Sequence, residues 1–109
     1  MARRRPAPRD RQRDHAIGRA AERYGLCLRP CDFARACQAI GNGAGERIGQ
    51  TPIGDTVVVL AISDGAGRSA TVVAVWKRTE RRIATFLPAD AHELWRWQAT
   101  HPNQSRAEA

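Results

Sequence analysis

In the stretch RDHAIGRAAERYG, residues 13–25, the side chains of His15, Arg19, Glu22 and Arg23 stand at helical spacing. Successive helix residues turn by about 100°, so with His15 at the origin Arg19, Glu22 and Arg23 fall at roughly 40°, −20° and 80°. One stripe thus carries a proton-transfer group, a carboxylate and two guanidinium groups. Imidazole, with an unperturbed pKa of about 6.5, exchanges protons near neutral pH. An arginine fork matches two oxygens of a phosphate. Metal-free cleavage of RNA needs these parts: a group to take the 2′-hydroxyl proton, one to protonate the departing 5′-oxygen, and cations around the charge that builds on phosphorus. The only other histidines are His92 and His101, and no second acid-base group is evident on the strands. A His with arginines four and eight residues on is also the ordinary pattern of a solvated helix face.

A second basic group surrounds a turn, where Lys77, Arg78, Arg81 and Arg82 follow Trp76. Cations beside an aromatic ring suit nucleic acid, which offers phosphates to the first and bases to the second. The same charges also serve simply to solvate a turn.

The elements that must position these residues are legible from periodicity. Ile17, Ala20, Ala21 and Tyr24 repeat at helical spacing, with Asp10 or Asp14 as cap and Gly25 as stop, which predicts a helix over about residues 11–24. Pro30 suits a first helical position and Asp32 the positive end of a helix dipole, and Phe33, Ala36, Cys37 and Ile40 continue a second helix to Gly41. The glycine-rich segment 41–45 lacks a Gly-Lys-Ser/Thr ending and a preceding strand, so it reads as a helix-to-strand linker. Residues 56–62, 70–76 and 81–87 are rich in β-branched residues and are separated by turn signals at Asp64–Gly67 and Lys77–Glu80. They predict an antiparallel meander, with residues 46–51 as a short edge strand. Val73 and Val75 share one face of the middle strand, and Val72, Ala74 and Trp76 the other. Both faces are apolar, so helices are expected on one side and partial cover or use on the other. After Pro88, Asp90 caps a short final helix in which Ala91, Leu94 and Trp95 pack while Trp97 looks outward.

Charge and composition bound the function classes. The chain has 109 residues and a net charge of +7, of which residues 1–13, with six arginines and one aspartate, hold +5. They read as a basic disordered arm broken by Pro6 and Pro8, residues 14–99 as a single α+β domain, and residues 100–109 as a polar frayed tail. Such an arm adds salt-sensitive affinity for phosphates or serves solubility alone. No apolar run of about 20 residues and no secretory leader is seen, so a cytoplasmic location without membrane association is expected. Cys27, Cys31 and Cys37 are an odd number for a disulfide framework and read as buried or idle thiols. The Cys-x3-Cys spacing with His15 lacks a fourth ligand, so neither a metal site nor a cofactor is expected.

Two helices, a three- to four-stranded antiparallel meander and a short helix, in that order, resemble the α+β plan of the barnase-like, colicin-type and RelE-like metal-independent ribonucleases. At the level of motifs, His15-Ala16 followed by Arg19 and Glu22-Arg23-Tyr24-Gly25, with Ile83-Ala-Thr-Phe-Leu-Pro88 closing the last strand, is similar to small bacterial, phage and toxin-system proteins of that group. The resemblance covers roughly residues 13–88. It implies a site where helix meets sheet, with His15 as general acid or base, Arg19 as phosphate clamp and Thr85 as a strand hydroxyl on the phosphate. Arg23, Trp76, Lys77, Arg78, Arg81 and Arg82 would then bind nucleic acid.

Two functional expectations stand side by side. One is a toxin-like endoribonuclease that needs no metal. The other is a non-catalytic module of a phage or mobile element that binds RNA, another nucleic acid, or a protein partner such as an antitoxin or phage component.

Overall fold

A computed structural model describes residues 8–91 of the chain, as helices α1 (Pro8–Tyr24) and α2 (Pro30–Gly41) and strands β1 (Glu46–Gln50), β2 (Thr56–Ser63), β3 (Ser69–Lys77) and β4 (Arg82–Leu87). The strands form one antiparallel sheet in the order β1-β2-β3-β4, the expected meander with its short edge strand. The expected final helix, with His92, Trp95 and Trp97, and the tail after residue 99 lie outside the described residues, as do residues 1–7.

The first helix starts earlier than its apolar period suggests. Residues 8–13, read from charge as part of a disordered arm, are its opening turns. The core-facing residues are Ala16 and Ala20, fully buried, with Ile17 and Tyr24 partly buried beside them, whereas Ala21 is exposed. On the angular scale set by His15, Ala16 and Ala20 stand at roughly 100° and 140° and Ala21 at 240°. The buried stripe is therefore centred between the first two. Gly25, with φ 67°, ends the helix in the left-handed region that glycine enters freely. The Tyr24 hydroxyl then fastens that end to the sheet: it donates to the Leu87 carbonyl at 2.6 Å and accepts the Val73 N–H at 3.1 Å.

The second helix is held at its start by Asp32. One carboxylate oxygen accepts the Arg29 backbone N–H at 2.9 Å and Nε at 3.0 Å, while the other accepts Nη2 at 3.1 Å. These bonds, the guanidinium's first, hold the carboxyl at about 2, well below the usual carboxylate range. Asp64 does the same at the β2–β3 turn. It accepts the N–H groups of Cys27, Ala66 and Arg68, each at 2.9 Å, so one buried carboxylate closes the hairpin and ties it to the α1–α2 connection. The Cys27 bond leads in lowering its pKa.

Phe33, Ala36 and Ile40 of α2 join Ala16 and Ala20 over Val58, Leu60, Ile62, Val72, Ala74, Trp76, Ile83 and Phe86. Both helices thus pack on one face of the sheet. Ile48, Val57, Val59 and Val73, with Leu87, form a smaller cluster on the other face. The predicted division of β3 into a Val73–Val75 face and a Val72–Ala74–Trp76 face is the one found. Opposite Trp76 the β3–β4 register slips by one residue, so Val75 faces Thr85 while Trp76 faces Ile83, and Ala84 is the extra residue of a bulge.

Candidate nucleic-acid interface

The stripe of α1 that drew attention first does not meet the strand hydroxyl. His15 is exposed, and the surface beside it is a shallow hollow of about 280 Å³ shared with Arg11, Gln12 and Ala84. Arg19 shares an open surface hollow with His15 and Glu22 and pairs at the surface with Glu22, Nη1 2.7 Å from Oε2. Thr85 pairs with Val75, on the sheet face away from both helices. His15 and Arg19 on one side and Thr85 on the other therefore have the sheet between them. Arg23 is structural: its Nη1 donates to the Phe86 carbonyl at 2.6 Å, binding α1 to β4.

Trp76, Arg81 and Arg82 do come together, at the opposite end of α1. They form one side of a cavity of about 550 Å³. The first turns of α1 supply Asp10 and Arg13, α2 supplies Phe33, Cys37 and Gln38, and Asn42 follows at the end of that helix. Phe33 and Trp76 also line it, although as core residues, 6% and 3% exposed, they present little of their surface to it. Lys77 and Arg78, from the same basic turn, do not line it. Lys77 lies 3.7 Å from Glu80, and Arg78 is exposed.

The three guanidinium groups differ in what they already hold. Arg13 lies 3.6 Å from Asp10 and 3.3 Å from Asp14. Arg82 is largely buried, 12% exposed at its side chain, and donates through Nη2 to Glu80 at 2.9 Å. That bond is the main cause of the lowered Glu80 pKa. The other terminal nitrogen, Nη1, is buried and has no hydrogen-bond partner among the described residues. Arg81 makes no ion pair among them. Its backbone φ is 51°, and its guanidinium lies over Gly41 beside the edge of the Trp76 ring. An unsatisfied buried donor costs about 1–3 kcal/mol, so the Nη1 atom of Arg82 is a donor that an anion at the cavity would satisfy, while Arg81, exposed, is a cation free to meet one.

Sequence reasoning missed Arg13 as a cavity residue because it grouped that residue with the arm. The readable signal was the three-residue spacing from Asp10, which suits a helix that has already begun. Phe33 and Cys37 read as part of the apolar repeat of the second helix; Phe33 is in the core and Cys37 partly buried against it, and both also line the cavity. Among the described residues no three His, Cys, Asp or Glu side chains gather as a metal site would, and no cysteine is in a disulfide. Cys27 and Cys31 are exposed rather than buried, and Cys37 Sγ accepts the Ile83 N–H at 3.4 Å. Nor is any helix among these residues long and apolar enough to cross a membrane.

No protein-family model matches the chain, and no match is found among curated proteins or solved structures.

Proposed function

We propose that this chain is a non-catalytic module that binds single-stranded nucleic acid, RNA foremost, at the cavity between α1, α2 and the β3–β4 turn. The observation that carries the reading is the meeting of Arg13, Arg81 and Arg82 with Phe33 and Trp76 around one recess, with the buried Nη1 of Arg82 lacking a partner among the described residues. Guanidinium groups take phosphate oxygens, and a recess with aromatic walls takes an unstacked base. A duplex keeps its bases stacked and offers this recess nothing comparable. The arginines of residues 1–7, Arg3, Arg4 and Arg5, add affinity that is independent of sequence.

Turnover is not part of this reading. His15 faces solvent, Arg19 is held by Glu22, and Thr85 belongs to the far face, so the groups that cleavage would require do not surround one phosphate.

Fluorescence anisotropy with labelled single- and double-stranded oligonucleotides over a range of salt tests the proposal. Single strands should bind more tightly than duplexes, and affinity should fall with salt. Deleting residues 2–7 removes three arginines and should reduce the slope of log K against log salt by about 2. The RNA should remain intact in EDTA, and His15→Ala should bind as the parent does. Absence of binding at low salt overturns the proposal. Cleavage to cyclic phosphate ends that His15→Ala abolishes would restore the ribonuclease reading.

A further inference from the structure

We infer that the cavity recognises a strand end, seating a terminal phosphomonoester at Arg81 and Arg82 with the last base against Phe33 and Trp76. This deepens the nucleic-acid reading and rests on it.

The first argument is size. α1, α2 and the β3–β4 turn each contribute a wall to a half-open recess whose volume of about 550 Å³ is that of a small-molecule site. An internal nucleotide must have its backbone enter and leave, whereas a terminal one enters once. The second argument is the count of donors. An internal phosphodiester has two non-bridging oxygens and one negative charge. A terminal phosphomonoester has three such oxygens and a charge of about −1.5 to −2 near pH 7. Among the described residues the lining carries three guanidinium groups against the one carboxylate of Asp10, while Asp14 and Glu80, the other ion-pair partners of Arg13 and Arg82, do not line it. The third is preparation. Among the described residues Arg81 has no ion pair to break, and turning the Arg82 guanidinium to bring its unpartnered Nη1 to the cavity gives up one bond, from Nη2 to Glu80.

The experiment uses the full chain and one ten-nucleotide RNA in four forms: 5′-phosphorylated, 3′-phosphorylated, with hydroxyls at both ends, and circular. Linear forms carry a fluorophore on the same internal nucleotide, and the circle is an unlabelled competitor. One of the phosphorylated forms should bind about tenfold more tightly than the dihydroxyl form, which fixes the end that is read, and the circle should compete poorly. Arg81→Ala should bring the phosphorylated and dihydroxyl forms to equal affinity, while Arg47→Ala, on the exposed edge strand, should preserve the difference. Equal affinity for all four forms overturns the strand-end inference and leaves the nucleic-acid reading standing. Binding of none overturns both. Binding of a nucleoside monophosphate alone, with no RNA form retained, also overturns the strand-end inference, since the cavity would then serve a free nucleotide.

Discussion

Gly41 gives the Arg81 guanidinium its seat: a β-carbon built on Gly41 would stand 2.8 Å from Arg81 Nη2, closer than a β-carbon is ever found to a neighbouring atom. Gly41 is the last residue of α2 and its φ is not positive, so its backbone does not require glycine. Gly41→Ala therefore separates stability from binding. The clash is with the tip of a flexible side chain, and alanine favours helix by about 1 kcal/mol over glycine. The melting temperature should hold or rise, while oligonucleotide affinity falls severalfold as Arg81 is displaced. Thermal melts and anisotropy on the same preparation check both halves, and unchanged affinity would show that Arg81 makes no contact.

Arg82→Met asks whether the buried guanidinium serves the fold or the ligand. Methionine keeps an apolar stem of similar reach and removes an unsatisfied donor, at the cost of the bond to Glu80. Stability should stay within about 1 kcal/mol of the parent in a urea titration, with binding weakened. A much larger loss of stability would make Arg82 a structural residue.

Tyr24→Phe should do the reverse. It removes a hydroxyl that joins the end of α1 to Leu87 and Val73, and should cost about 1–3 kcal/mol in urea unfolding. Affinity should be untouched, because the cavity draws on the other end of that helix, at Asp10 and Arg13. Weakened binding by a variant still folded under assay conditions would contradict the separation of the two ends.

Asp32 and Asp64 set the acid limit. Both carboxyls are held below the ordinary Asp value, Asp32 first by the Arg29 guanidinium and Asp64 first by the Cys27 N–H. A depressed folded value means that the unfolded chain binds the proton more readily. Their stabilisation is therefore complete above the ordinary value of about 4 and drains away as pH falls towards about 2. Urea midpoints measured from neutral to acid pH should drop through that window, and Asp32→Asn should drop less steeply from a lower starting point. An equally steep fall in Asp32→Asn would assign the acid sensitivity elsewhere.

Most of the fold was readable because its signals are local. The β-branched runs, the Asp64–Gly67 turn, Pro30 and Gly25 each act on their own few residues, and β1 appeared where a short edge strand was expected. The candidate site was only half readable. Trp76, Arg81 and Arg82 were picked out as a basic-aromatic group, but their meeting with Arg13 depends on α1 beginning at Pro8, which the arginine-rich composition obscured. The separation of Thr85 from His15 follows from strand alternation: Thr85 neighbours Phe86, which packs under the helices, and so falls on the other face with Leu87. The exposure of His15 was in principle legible. It lies more than 90° around the helix from Ala16 and Ala20 when each residue adds about 100°, and those two small residues carried too little apolar weight to mark the buried side.

The left-handed backbone of Arg81 sets robustness against recognition. A non-glycine residue holds that conformation at a cost of about 1 kcal/mol, and Arg81→Gly should recover part of it as a higher melting temperature while deleting a guanidinium of the cavity that makes no ion pair among the described residues. A programme that optimised this hairpin for folding alone would improve the protein by every thermal criterion and silence it.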